Sequence, residues 1–329
     1  MSRALFVAAL ATIALLGNFA RALAAEPVTH YRTVTVDDVK VFYREAGDSN
    51  KPALLLLHGF PTSSHMFRNL IPLLANRYHV IAPDYPGFGF SDAPDRARFE
   101  YTFEHLAQVM DDFTQAVGLK RYAIYIFDYG APIGLRLALA HPERVTAIIS
   151  QNGNAYEEGL SAGFAGRLKA SREPTEQART AWRAALTPEA GQRRYLTGVP
   201  EAKRVLVAPE AFALDSALLA RPGNDEIQLD LLMDYGSNVA LYPQVQEYLR
   251  RRRPPILLIW GKNDQTFVPA GAESFKRDVP DAEVHLYDTG HFALETHLYE
   301  IAGTIRDFLR RKVDHFPATT GGSSHPGRT

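Results

Sequence analysis

Three residues far apart in the chain, Asp128, Asp264 and His291, share one local setting: each follows closely on a short apolar run that reads as a buried β-strand. Asp128 is the middle of Ile126-Phe127-Asp128-Tyr129-Gly130, where the run Tyr122 to Phe127 turns abruptly into the helical pattern Ala131 to Ala140. Asp264, in WGKND, follows Ile256 to Trp260, and His291, in DTGHF, follows Glu283 to Tyr287. A carboxylate is ionised at neutral pH and can displace a group at saturated carbon, and the ester it forms can still be cleaved at its carbonyl. An imidazole oriented by a second carboxylate can activate the water for that cleavage. Singly, each residue has a plainer use: Asp128 as a helix N-cap, Asp264 and His291 as turn residues. Together they fall at the carboxyl ends of strands, where open α/β sheets build their sites, and this predicts one site with Asp128 as nucleophile, Asp264 as acid and His291 as base.

A fourth element is His58-Gly59-Phe60-Pro61, directly after the apolar run Ala53 to Leu57. A tight Gly-containing turn there leaves backbone N–H groups facing the site, and the amides of Phe60 and Tyr129 are the expected oxyanion donors. The one G-x-S-x-G, Gly159-Leu160-Ser161-Ala162-Gly163, follows no apolar strand run, unlike the strand-to-helix turn at Asp128, and the chain has 0 Cys, so a thiolate does not compete for the nucleophile's role.

The elements that must position these residues follow from periodicity. Two alternating runs, Tyr31 to Val36 and Val39 to Arg44, predict an antiparallel hairpin across Asp37-Asp38. Ala53 to Leu57 and Tyr78 to Ala82 predict strands with a helical stretch between them. Phe103, Leu106, Met110, Phe113 and Val117 recur at helical spacing between a Thr102 N-cap and Gly118. Further strands are expected over Tyr122 to Phe127 and Val145 to Ser150. From 154 to 253 the strand alternation stops, and polar helix-favouring pieces broken by Pro and Gly predict an inserted helical cap. Alternation then resumes with Ile256 to Trp260, a helix after Pro269, strand Glu283 to Tyr287 and a closing helix through Leu309. The expected division is a core over 25–153 and 254–312, the cap between them, and a disordered tail over 313–329, where Pro317 to Thr329 is poor in apolar residues.

With 329 residues, 46% hydrophobic and 22% charged, the chain can bury a large core, and a net charge of -1 gives no electrostatic reason to expect nucleic acid. Arg3, the apolar run from Ala4 and the small-x-small pattern Ala22-Leu23-Ala24 predict a signal peptide over 1–24, hence a periplasmic or secreted protein without a membrane segment once it is removed. Arg250 to Arg253 reads as the end of a solvated helix, and Trp260 as core.

The set HGFPTSS (58–64), APDYPGFGFSD (82–92), FDYG (127–130), WGKND (260–264) and TGHF (289–292) resembles the epoxide hydrolase and haloalkane dehalogenase branch of the α/β-hydrolases. The resemblance covers roughly 30–155 and 240–312, and only weakly the cap. It implies an α/β-hydrolase fold with a mostly parallel central sheet flanked by helices, and the chain order nucleophile, acid, histidine. It also implies an alkyl ester on Asp128, hydrolysed with the help of His291 and Asp264, no metal or organic cofactor, and a small apolar epoxide or halide and water as partners of a monomer or homodimer.

Dehalogenases of this branch usually carry Trp after the nucleophile and commonly Asn in the oxyanion turn to grip halide; here those positions are Tyr129 and Phe60, and Phe has no side-chain donor. Gln151-Asn152 after the sixth strand holds no carboxylate, leaving Asp264 as the acid. Epoxide hydrolases keep an aromatic in the turn and use cap tyrosines to protonate the opening oxygen; Tyr242 is the first candidate, with Tyr235 and Tyr195 behind it. Ile126 and Ala131-Pro132 depart from the small residues common around the nucleophile. The leading expectation is therefore epoxide hydrolysis to a diol, the second dehalogenation by the same route, and the third a ligand-binding protein without catalysis.

Overall fold

The computed structural model describes residues 27–313 apart from 172 and 174. The expected signal peptide and the expected tail over 313–329 lie outside the described residues except for Val313, which is buried at the end of the last helix. No described helix is long and apolar enough to cross a membrane.

Eight strands form one sheet in the order β1-β2-β4-β3-β5-β6-β7-β8. β1 (His30–Val36) and β2 (Val39–Ala46) pair antiparallel, with Val36 opposite Val39, and the turn between them uses positive φ at Asp37 and Asp38. β2 pairs antiparallel with β4 (His79–Pro83). From β4 onward the sheet is parallel, through β3 (Ala53–Leu57), β5 (Tyr122–Phe127), β6 (Val145–Gln151), β7 (Ile256–Gly261) and β8 (Glu283–Tyr287). The central strands are apolar nearly throughout because helices cover both faces, whereas at the edges β1 is largely exposed, β8 is half-buried, and both carry charged residues. The direction of winding reverses at β3, so the crevice above β3 and β5 is the topological switch point of the sheet.

On one face lie α2 (Phe103–Ala116), α3 (Gly130–Ala140) and α9 (Ala270–Asp278), contributing Met110, Ile133 and Phe275 to the core. On the other lie α1 (Leu70–Ala75) and α10 (Ala293–Lys312), contributing Leu74, Ile305 and Phe308. Thr102 caps α2 as its sequence suggests, its side chain accepting from the His105 N–H.

Between β6 and β7 the chain is helical: α4 (Ala162–Ala170), α5 (Glu176–Arg183), α6 (Pro188–Leu196), α7 (Pro209–Leu219) and α8 (Asn224–Arg252). Of the prolines in this stretch, Pro243 breaks nothing and lies inside the 29-residue α8. The apolar residues beyond it, Val245 and Leu249, are buried against the core, and that packing carries the helix on past the missing donor. Arg136 of α3 donates through Nη1 to Asn238 Oδ1 of α8 at 2.8 Å, pinning this layer to the helix that begins at the candidate nucleophile. At the far end Arg253 ends α8 with positive φ, and Arg250 pairs with buried Asp278 at 2.7 Å.

Candidate active site

The turn from β5 into α3 is tight enough to force Asp128 to φ 50, a conformation uncommon for a residue with a side chain. Gly130 permits this: a Cβ there would lie 2.2 Å from the Leu57 carbonyl oxygen. Gly59 is equally constrained, since a Cβ on it would lie 2.3 Å from Asp128 Cβ. With nothing on Gly59, the oxyanion turn closes on the carboxylate. The backbone N–H of Phe60 and that of Tyr129 both donate to Asp128 Oδ1, each at 2.7 Å.

The turn is fixed from behind. Buried Asp84 accepts from the Ser64 N–H at 2.7 Å and the Phe90 N–H at 2.8 Å, tying 58–64 to the 82–92 segment. His58 is fully buried and its pKa is driven down by that burial to about 3. It is therefore a neutral ring, accepting at Nε2 from the Tyr85 N–H at 3.3 Å, and it holds the loop rather than titrating. The Phe60–Pro61 peptide is cis.

His291 follows β8 and places Nε2 3.4 Å from Asp128 Oδ2 and Nδ1 2.6 Å from Asp264 Oδ2. Asp264, after β7, is itself held: Oδ2 accepts from Asn152 Nδ2 at 2.7 Å and Oδ1 from the Thr266 N–H at 2.8 Å. Asn152, with φ 47 at the end of β6, also accepts from the Gly261 N–H through Oδ1 at 3.0 Å, so it fixes the acid to two strands at once. Asp128, Asp264 and His291 are 7%, 5% and 5% exposed, so their charges interact with little solvent between them. Burial works to lower the His291 pKa, but Asp264 and Asp128 outweigh it and raise it to about 9. At neutral pH the ring is thereby biased toward its protonated form.

The three candidate tyrosines do not occupy equivalent positions. Tyr235, on α8, packs its ring 6.0 Å from that of Tyr129 and is pushed well above its usual pKa by burial, then by Tyr242 and Asp128. Tyr242, seven residues on, lies behind it: its hydroxyl meets Asn154 Nδ2 at 3.2 Å and is hydrogen-bonded to Tyr235. Tyr195, on α6, stacks on Phe292 at 3.8 Å and donates to Asp215 Oδ2 at 2.6 Å, with Thr62 of the oxyanion turn in the same hydrogen-bonded group. Of the three, Tyr235 is the one on which Asp128 acts electrostatically, Tyr242 is hydrogen-bonded to it, and Tyr195 is bonded to Asp215. Sequence reasoning missed Asn152, the unpartnered buried hydroxyl of Tyr129 and the buried guanidinium of Arg194. The first had a signal, an Asn at a strand end beside the acid's strand; the others had none.

Among the described residues no group of three or more His, Asp or Glu side chains is arranged to hold a metal ion. What the arrangement can do is bind a carboxylate oxygen in a two-amide pocket, present the other oxygen of that carboxylate to a ligand, and offer an acid-oriented imidazole alongside.

The family of the α/β hydrolase fold matches residues 52–298. A Saccharomyces cerevisiae protein named as an uncharacterized hydrolase is 46% identical over 284 residues, 84% of this chain and 96% of that one. Haloalkane dehalogenase 2 of Mycobacterium bovis is 30% identical over 233 residues, 70% of this chain and 77% of that one. Among solved structures, an epoxide hydrolase of Vigna radiata superposes with a TM-score of 0.67 at 22% identity, covering 86% of this chain and 98% of that one, which speaks to fold. With strand order, helical layers and a family match over most of its length in agreement, the chain belongs to the α/β-hydrolase family.

Proposed function

We propose that this hydrolase opens an epoxide to a diol through an ester on Asp128, in the periplasm or outside the cell. The observation that carries the reading is the asymmetric environment of the carboxylate: Oδ1 is held by two amides while Oδ2 faces His291. Oδ2 attacks the epoxide carbon, the C–O bond of the ring breaks, and a phenol gives its proton to the leaving alkoxide. Tyr235 is the donor of choice, since burial keeps it protonated, and Tyr242 can pass a proton along the shared hydrogen bond.

Esterification removes the charge of Asp128 and with it part of what holds the proton on His291. That proton returns to the phenolate, the neutral imidazole takes one from water, hydroxide adds to Cγ, and the oxyanion forms on Oδ1, already between the Phe60 and Tyr129 amides. Collapse breaks the Cγ–Oδ2 bond, the leaving alkoxide takes the proton from His291, and the new carboxyl group of Asp128 returns its own proton to the imidazole.

Dehalogenation by the same ester is the second reading, favoured by the 30% identity to a haloalkane dehalogenase. It is placed second because Phe60 offers a halide no side-chain donor. Incubation with styrene oxide and a panel of 1-haloalkanes, with Asp128→Ala as control, separates them. Diol without halide release supports the first reading and halide release the second; tight ligand binding without turnover sinks both and leaves a binding protein.

A further inference from the structure

Arg194, one residue before Tyr195 on α6, forms no ion pair with a carboxylate among the described residues. Its guanidinium carbon lies 4.7 Å over the ring of Phe60, the residue whose amide holds Asp128. Nη1 is buried and has no hydrogen-bond partner among the described residues, while Nη2 reaches the Ala185 carbonyl at 3.3 Å. Burial acts to lower its pKa and Asp128 acts to raise it. A guanidinium does not shed its proton, so one whose buried Nη1 lacks an acceptor and that pairs with no carboxylate among the described residues carries a desolvation cost that something must offset. Arg194 also lines, with Arg193 and Arg167, a cleft of about 400 Å³ whose wall includes His291 and Asp264.

We propose that Arg194 anchors a carboxylate on the substrate, so that the epoxide opened at Asp128 carries an acid group a few bonds from its ring. The proposal rests on the ester reading above and narrows its substrate from apolar to anionic. An anionic substrate approaching Asp128 meets a like charge; an uncommitted guanidinium beside the oxyanion turn cancels that repulsion and fixes which end of the molecule faces the nucleophile. The planar fork of a guanidinium matches a carboxylate, and the free Nη1 supplies the donor. A phosphate would set a second negative charge beside Asp128, so the planar monoanion is the better occupant. Arg167 and Arg193, exposed on the same cleft, steer such a ligand inward.

The test compares 3-phenylglycidate with its primary amide on the wild type, Arg194→Gln and Arg194→Lys. The wild type is expected to prefer the acid about tenfold or more in kcat/KM, and Arg194→Gln to erase that preference roughly ten- to hundred-fold, chiefly through KM, with Arg194→Lys restoring part of it. Equal use of acid and amide by the wild type, or an equal loss on both in Arg194→Gln, overturns the proposal. Calorimetric binding of 3-phenylpropionate and 3-phenylpropionamide to Asp128→Asn, with and without Arg194→Gln, keeps the two readings apart because no ester can form. Carboxylate binding that needs Arg194, in a protein that turns over neither epoxide, retains the anion site and rejects the epoxide reading. Acid and amide binding alike, or neither binding, rejects the anion site.

Discussion

The backbone N–H of Phe60 and Oδ1 of Asp128 are 2.7 Å apart, so an oxygen of the carboxylate already occupies the position in which negative charge is stabilised. If Oδ2 attacks and water later adds at Cγ, the oxygen that leaves with the first product molecule comes from the protein. In a single turnover in ¹⁸O-labelled water, with enzyme in excess, the diol should carry no label and the tryptic peptide containing Asp128 should gain one ¹⁸O. Label in the first diol would point to direct attack of water on the substrate and remove the ester.

His291, raised to about 9 by its two carboxylates against the opposing effect of burial, binds its proton more tightly folded than unfolded. A raised folded pKa contributes stability that is complete below the unfolded value near 6.5 and disappears as pH climbs through about 9. Melting temperature should therefore fall between these limits more steeply in the wild type than in His291→Gln. The same variant should accumulate the ester, seen as added mass on intact protein after exposure to epoxide, with turnover reduced by at least about 10²-fold.

Tyr235 and Tyr242 should separate in their effects. Tyr235→Phe removes the cap phenol on which Asp128 acts and should slow ester formation from an epoxide by roughly 10²-fold. Tyr242→Phe leaves that phenol in place and should cost less, about tenfold, by loosening its hydrogen-bonded support. Rapid-quench measurement of ester formation reads both; a larger loss in Tyr242→Phe would restore the ranking that the sequence suggests.

Asp215 is driven up to about 7 by burial, against the hydrogen bonds from Tyr195 and Thr62. An acid harder to ionise folded than unfolded destabilises once pH exceeds its unfolded value, and the penalty is complete above about 7. Asp215→Asn should accordingly raise the melting temperature at pH 8 by more than at pH 4. Equal shifts at both would show that the carboxylate's ionisation is not what the fold resists.

Much of the architecture was legible because parallel strands covered on both faces must be apolar nearly throughout, and ALLLL and ILLIW can hardly be anything else. The candidate residues Asp128, Asp264 and His291 stood out for a related reason: they follow those strands directly, so locating the strands locates them. Strand order was not, since nothing in β3 or β4 states which neighbours it takes. Nor was the order of the tyrosines. Tyr235 and Tyr242 are two helical turns apart and share one face of α8, so which one approaches Asp128 depends on how α8 crosses the core. Arg194 resembles any other helical arginine until Phe60 is found beneath it.

The hydrogen-bonded group of Tyr195, Asp215 and Thr62 joins two cap helices to the very loop that supplies the Phe60 amide. A molecule cannot be admitted by swinging α6 and α7 aside without tugging on that loop. The cap and the amide pocket are thereby mechanically coupled, so a displacement of α6 or α7 is transmitted to the turn that holds the Asp128 carboxylate.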